Sequence, residues 1–137
     1  MSFKTIVDKI PEFCLSHWLL RIPLAVVFIQ QGLNKIPVDP LEAEAWGLPY
    51  IVWWFVSWGE LGAGIGLLVG GLLALHKPIV WVGDLLTRFS GFVVGSVMTG
   101  VIWMSQPASF MDVILYDHFH VMLWFGGLFF ALRGTRT

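Results

Sequence analysis

Trp58-Gly59-Glu60-Leu61-Gly62-Ala63-Gly64-Ile65-Gly66 sets one carboxylate inside a long apolar, glycine-rich run. A hydrocarbon core about 30 Å thick needs about 20 consecutive apolar residues to cross it, and the run from Tyr50 to Leu75 supplies them. An ionisable side chain at that depth is costly without a partner, and it marks a candidate functional site. Glu60 therefore predicts both a membrane-spanning helix and an interior polar site.

The rest of the chain agrees with this stretch. Of its 137 residues, 57% are hydrophobic and 12% charged, with mean hydropathy +0.79. Soluble domains carry roughly 25% charged residues. Further apolar runs span about 16–36, 79–104 and 113–132. Pro37, Asp39 and Pro40 stop the first, because proline cannot continue a helical hydrogen-bond ladder. His76-Lys77 forms a tight turn, and Pro78 suits the first position of the next helix. Gln106-Pro107 ends the third run, and Ser109 with Asp112 reads as a capping box before the fourth. The fold class is all-α: an integral membrane antiparallel four-helix bundle in one domain. Phe3, Ile6, Val7, Ile10 and Phe13 stand near helical spacing and suggest a short interfacial helix ahead of it, interrupted by Pro11.

Charge and cysteine content narrow the function. A net charge of −1 without a basic run points away from nucleic acid. The single cysteine, Cys14, excludes an internal disulfide and a CxxC redox pair, and reads as a small apolar residue at a helix start. Lys4 and Lys9 are followed by Asp8, Pro11 and Glu12 rather than by a cleavable leader, so the first apolar run is expected to be retained. Lys4, Lys9, Lys77, Arg133 and Arg136 gather on one side, whereas Asp39, Glu42, Glu44, Asp112 and Asp117 gather on the other. The positive-inside rule puts both termini in the cytoplasm. Trp18 and Trp81 then mark the inner interface, and Trp46, Trp53, Trp54 and Trp103 the outer one.

Polar and small residues share helix faces. At 100° per residue, Arg21, Ala25, Phe28, Gly32 and Lys35 line one face of the first helix, and Asp84, Arg88, Gly91, Gly95 and Thr99 one face of the third. Glu60, Gly64, Leu67 and Gly71 do so on the second; Gly62, Gly66 and Gly70 form a separate stripe for close contact, within the bundle or with another subunit. Depth counted at 1.5 Å per residue places Glu60 and Arg88 both about 15 Å in. Two ion pairs are expected, Glu60 with Arg88 and Arg21 with Asp84; Asp84 and Arg88 could instead pair along their own helix. Such pairs either fix helix register or do chemistry.

Gln30, Gln31, Asn34 and Lys35 close the first helix, and Tyr116, Asp117, His118 and His120 open the fourth. On a helix His118 and His120 diverge by about 160°, so they do not make a metal site together. One is expected to face the interior as a polar or quinone-contacting group, with Asp117 or Tyr116 orienting His120, and the other to meet headgroups or a neighbouring subunit. His17 and His76 fall at the inner interface with no assigned role.

Leu20-Arg21-Ile22, Phe28-Ile29-Gln30-Gln31-Gly32-Leu33-Asn34-Lys35 and Trp58-Gly59-Glu60-Leu61-Gly62-Ala63-Gly64 together resemble the first two helices of DoxX-family membrane proteins, and Arg88 is similar to a third-helix arginine there. The resemblance implies a small bacterial inner-membrane protein of four helices. Some relatives are subunits of thiosulfate:quinone oxidoreductase, and others associate with redox partners. The characteristic positions carried over are Arg21, Gly32, Lys35, Glu60 and Arg88. The histidine-bearing fourth helix and the many tryptophans depart from the family pattern.

The leading expectation is a membrane subunit of a quinone-linked redox system. Glu60 and Arg88 are the candidate catalytic residues, and Arg21, Lys35, Asp84, His118 and His120 the candidate quinone-binding residues. No covalent cofactor motif is present, so any electron donor belongs to another chain. The alternative is a non-catalytic accessory subunit packed into a larger membrane complex or a homo-oligomer. A small-solute transporter is a third reading, with Leu19-Leu20-Arg21 and Leu85-Leu86-Thr87-Arg88 as a faint hint of a duplicated hairpin.

Overall fold

The computed structural model describes residues 2–11 and 14–135. Glu12, Phe13 and Arg136, used above for leader, interfacial helix and charge bias, lie outside the described residues. The described chain is helical throughout, without strands. Its helices are α1 (Phe3–Val7), α2 (Trp18–Asn34), α3 (Pro40–Ala45), α4 (Tyr50–Leu73), α5 (Val80–Met104), α6 (Phe110–Tyr116) and α7 (His118–Arg133). A 3-10 turn, Lys77–Ile79, with Pro78 inside it, leads into α5.

Packing follows chain order: α2 lies on α4, α4 on α5 and α5 on α7. Glycines set these approaches, because a Cβ there would strike the neighbouring backbone. At Gly64 it would stand 2.8 Å from the Ala25 carbonyl of α2, and at Gly91 2.5 Å from the Ala131 nitrogen of α7. Gly66 and Gly70 close the α4–α5 contact against Ser90 and Thr87, so that part of the glycine stripe serves the chain itself. Gly62 faces open space. The core between the helices is Leu24, Ala25, Phe28, Ala63, Leu67, Val94, Met98, Leu123 and Phe130.

Two of the four expected spans are revised. Among the described residues, only Tyr50–Leu73 and Lys77–Met104 are long and apolar enough by themselves to cross a membrane. A third span is reached if the bent pair α6 and α7 counts as one. The first span stops early: α2 has 17 residues, about 25 Å of helix. Gly32 sits against Leu61, so about 12 Å of α4 rises past the end of α2. The space is roofed by residues 36–49, which include α3. Asp39 caps α3 by accepting the Leu41 N–H at 2.9 Å, and Pro40 takes its first position. Ala43 is buried, and Trp46 stacks on Trp53 at 6.3 Å. Trp53 is consequently a core residue rather than part of an interfacial belt.

The fourth run breaks at Asp117, where α6 and α7 meet at 98°. Ser109 does cap the run, accepting the Asp112 N–H at 3.2 Å, but the helix it starts is α6. Asp117 has φ −111° and ψ 48°, which is not helical, and it serves as both the end of α6 and the start of α7.

Candidate functional site

The inward faces read from periodicity hold on α2 and α4; on α5 the buried face is instead Gly83, Thr87, Ser90, Gly91, Val94 and Met98, with Asp84, Arg88 and Gly95 half-buried and Thr99 exposed. Arg21, Ala25, Phe28 and Gly32 are buried on α2, and Glu60, Gly64, Leu67 and Gly71 on α4. The pairing across them is different from the expected one. Glu60 binds Lys35, with Nζ donating to Oε2 at 2.7 Å, and both side chains are largely buried. Lys35 Nζ also donates to the Gln31 carbonyl and side-chain oxygens at 3.3 and 3.4 Å. It lies 5.7 Å from the centre of the Trp53 ring.

Arg88 is not beside Glu60. It donates to Asp84 Oδ2 on its own helix at 2.9 Å. Its remaining N–H groups go to the carbonyls of Ala131, Leu132 and Arg133, which α7 leaves unsatisfied at its C-terminus. Asp84 Oδ1 in turn accepts the Thr135 N–H at 2.9 Å and its hydroxyl at 3.3 Å. This clip ties the end of the described chain to α5. The reason for the mismatch is register. Glu60 is about 15 Å from the start of α4, whereas Arg88 is about 12 Å from the start of an antiparallel neighbour some 36 Å long. The two residues are therefore about 9 Å apart in depth, and Arg88 points to α7.

Arg21 does not meet Asp84 either. It is fully buried, and its Nη1 donates to the Leu67 carbonyl at 2.6 Å and the Thr87 hydroxyl at 2.9 Å. Nε donates to His17 Nδ1 at 3.2 Å. The guanidinium lies 5.4 Å from the Trp18 ring centre and 4.8 Å from that of Phe130. Among the described residues no carboxylate pairs with it, and Nη2 has no acceptor. Arg21 thus joins α2, α4, α5 and α7 at one point. Sequence reasoning missed its partners His17 and Thr87. The i,i+4 spacing of His17 and Arg21 was the available signal for the first.

The remaining polar group lies at the elbow. His120 Nδ1 meets Asp117 Oδ1 at 2.7 Å, the orientation expected from the three-residue spacing. Asp117 Oδ2 is buried with no protein partner. Both residues line an open groove of about 370 Å³ with Ser105, Pro107, Ala108, Asp112, Val113 and Tyr116. His118 is exposed and points elsewhere. The chain thus separates its polar residues into four places: Lys35–Glu60, Arg21–His17, Asp84–Arg88 and Asp117–His120.

Residues 17–77 match the family model DoxX. The match assigns residues 17–77 to the DoxX family. With its apolar helices, the chain is a membrane protein that carries a DoxX segment. The DoxX segment covers α2, α3 and α4, and with them Arg21, Gly32, Lys35 and Glu60. Asp84, Arg88, His118 and His120 lie beyond it. No curated protein and no solved structure matches the chain.

Proposed function

We propose that this protein is a DoxX-family subunit of a quinone-linked redox system. In this reading it crosses a bacterial inner membrane four times, with both termini in the cytoplasm. Roofing by residues 36–49 lets the short α2 serve as a span, and α7 completes the antiparallel bundle beside α5. The quinone headgroup would sit in the groove at the elbow. The observation that carries this reading is the Asp117–His120 pair at 2.7 Å, opening on that groove at the end of two apolar helices.

A quinone becoming a quinol takes up a pair of electrons and a pair of protons. The electrons would come from a redox protein outside this chain. The residues here would handle binding and protons. Asp117 accepts the Nδ1–H of His120 and so fixes the ring and its tautomer, which leaves Nε2 to accept a hydrogen bond from the quinol hydroxyl. Pro107, Ala108 and Val113 supply apolar walls. Arg21, Lys35–Glu60 and Asp84–Arg88 are assigned to holding helices together, because each bonds to another helix or to the chain's own tail.

The test is titration of the full chain, in lipid nanodiscs, with a short-chain ubiquinone analogue that quenches tryptophan fluorescence. His120→Phe and Asp117→Asn should each weaken binding about tenfold or more, close to 1.4 kcal/mol, with helix content unchanged. Equal affinity in both variants would refute the assignment. The closed internal ion pairs favour a second reading, a non-catalytic accessory subunit. Absence of quinone binding, together with recovery in stoichiometric amount within a larger membrane complex, would select it.

A further inference from the structure

We infer that α6 is an interfacial helix, docked along the surface of the lipid bilayer at the Tyr50 end of the molecule, where it forms the lipid-anchored wall of the His120 groove. The inference rests on membrane insertion alone and not on the quinone reading.

α6 lacks support within the protein. It has seven residues and none is buried. Isolated helices shorter than about 12–15 residues are marginal in water, and protein helices owe most of their stability to a packed apolar face. Here that face is bare: Phe110 is 77% exposed, Met111 55%, Ile114 41% and Leu115 50%.

Its surface is divided into two faces. Phe110, Met111, Ile114 and Leu115 fall within an arc of about 140°. Asp112, Val113, Tyr116 and Asp117 fall within the opposite arc of about 140°, and all four of these line the groove. A short helix with one apolar face and one polar face lies in the plane of a membrane interface, with the apolar face directed to the acyl chains.

The direction and level of α6 also suit the membrane surface. α7 runs antiparallel along α5, with Gly127 against Gly91 and Gly95, and Trp124 donating to Thr99 at 3.0 Å. This register sets the start of α7 beside the end of α5, a membrane-length helix. A turn of 98° at that level lays α6 across the spanning direction. Trp103, at the end of α5, is exposed at the same level, where amphipathic aromatic rings favour the headgroup region. In this inference the apolar face of α6 extends the lipid-facing surface of the long helices. The charged residues of α6 and its elbow are acidic, Asp112 and Asp117, so attachment is apolar and needs no anionic lipid.

The experiment uses the full chain with Cys14→Ser, which removes the exposed native cysteine. Single cysteines at positions 110, 112, 114 and 116 carry a nitroxide in phosphatidylcholine nanodiscs. Collision with oxygen, which concentrates in lipid, is compared with collision with a water-soluble nickel chelate. Ile65→Cys, on the exposed face of α4, gives the lipid reference. Positions 110 and 114 should side with oxygen, and 112 and 116 with the chelate, in low and in high salt alike. Access of the chelate to 110 and 114 would overturn the inference by placing α6 in water. Exclusion of both reagents there would overturn it in favour of a second copy of the chain.

Discussion

Removing Lys35 from its pair with Glu60 tests whether this contact holds the DoxX segment together. The Glu60 side chain is 4% exposed and that of Lys35 16%. Lys35→Met keeps the apolar stem and deletes the charge. It strands the carboxylate between α2 and α4, and removal of one partner of a buried pair costs about 3–5 kcal/mol. The lost cation–π contact with Trp53 adds about 0.5–1 kcal/mol. The partial exposure of Lys35 lets water reach its site, which argues for the low end, about 3 kcal/mol in all. The double variant Lys35→Met, Glu60→Met removes both charges. It should come back to within about 1 kcal/mol of the parent, because a well-packed apolar replacement of a buried pair is often neutral. Reversible unfolding in mixed micelles with increasing dodecyl sulfate, followed by tryptophan fluorescence, reads all three free energies, with Glu60→Met completing the cycle. A coupling energy of at least about 2 kcal/mol is expected. A single Lys35 variant that loses less than about 1 kcal/mol, or a double variant no better than the single, would refute the reasoning.

Gly91→Ala should destabilise the α5–α7 contact by about 1–3 kcal/mol through overpacking, since its Cβ would meet the backbone of α7. Gly100→Ala on the same helix faces open space and should gain up to about 1 kcal/mol from helix propensity; the same unfolding assay separates them. Asp84→Ala should free the end of the described chain, because Thr135 loses its acceptor for both N–H and hydroxyl. Amide hydrogen exchange should then speed up at Thr135 and remain unchanged at Gly32, on the far side of α4.

The inward faces were legible because burial imposes a helical period on residue type. Arg21, Phe28 and Gly32 could be placed toward the interior from spacing alone. A shared face does not name a neighbour, however. Arg88 and Glu60 were both interior and both seemed mid-depth when counted from opposite ends. Only the register fixed by Gly66 against Ser90 and Gly91 against Ala131 shows them on different levels and facing different helices. Lys35 lay at the end of its predicted span, so it was read as a boundary residue. Its depth became visible once α2 proved short and α3 was found above it.

The elbow at Asp117 was hidden for a related reason. Hydropathy stays high from Val113 to Leu132, and no proline or glycine marks the break. Ser109 signals a helix start, but a cap says where a helix begins and not how far it runs. The amphipathic division of residues 110–117 was present in the sequence, over too few residues to stand out from a spanning run. The two ends of the chain have different physical roles. At the Lys77 end Arg21 and the Asp84–Arg88 clip spend their hydrogen bonds on backbone carbonyls and on the chain's own tail. At the Tyr50 end Asp117 keeps a buried oxygen without a partner beside an open groove. A buried acceptor left unmatched costs about 1–3 kcal/mol, and a structure that pairs Glu60 and Asp84 with cations has reason to keep this oxygen unmatched only where a ligand or water completes it.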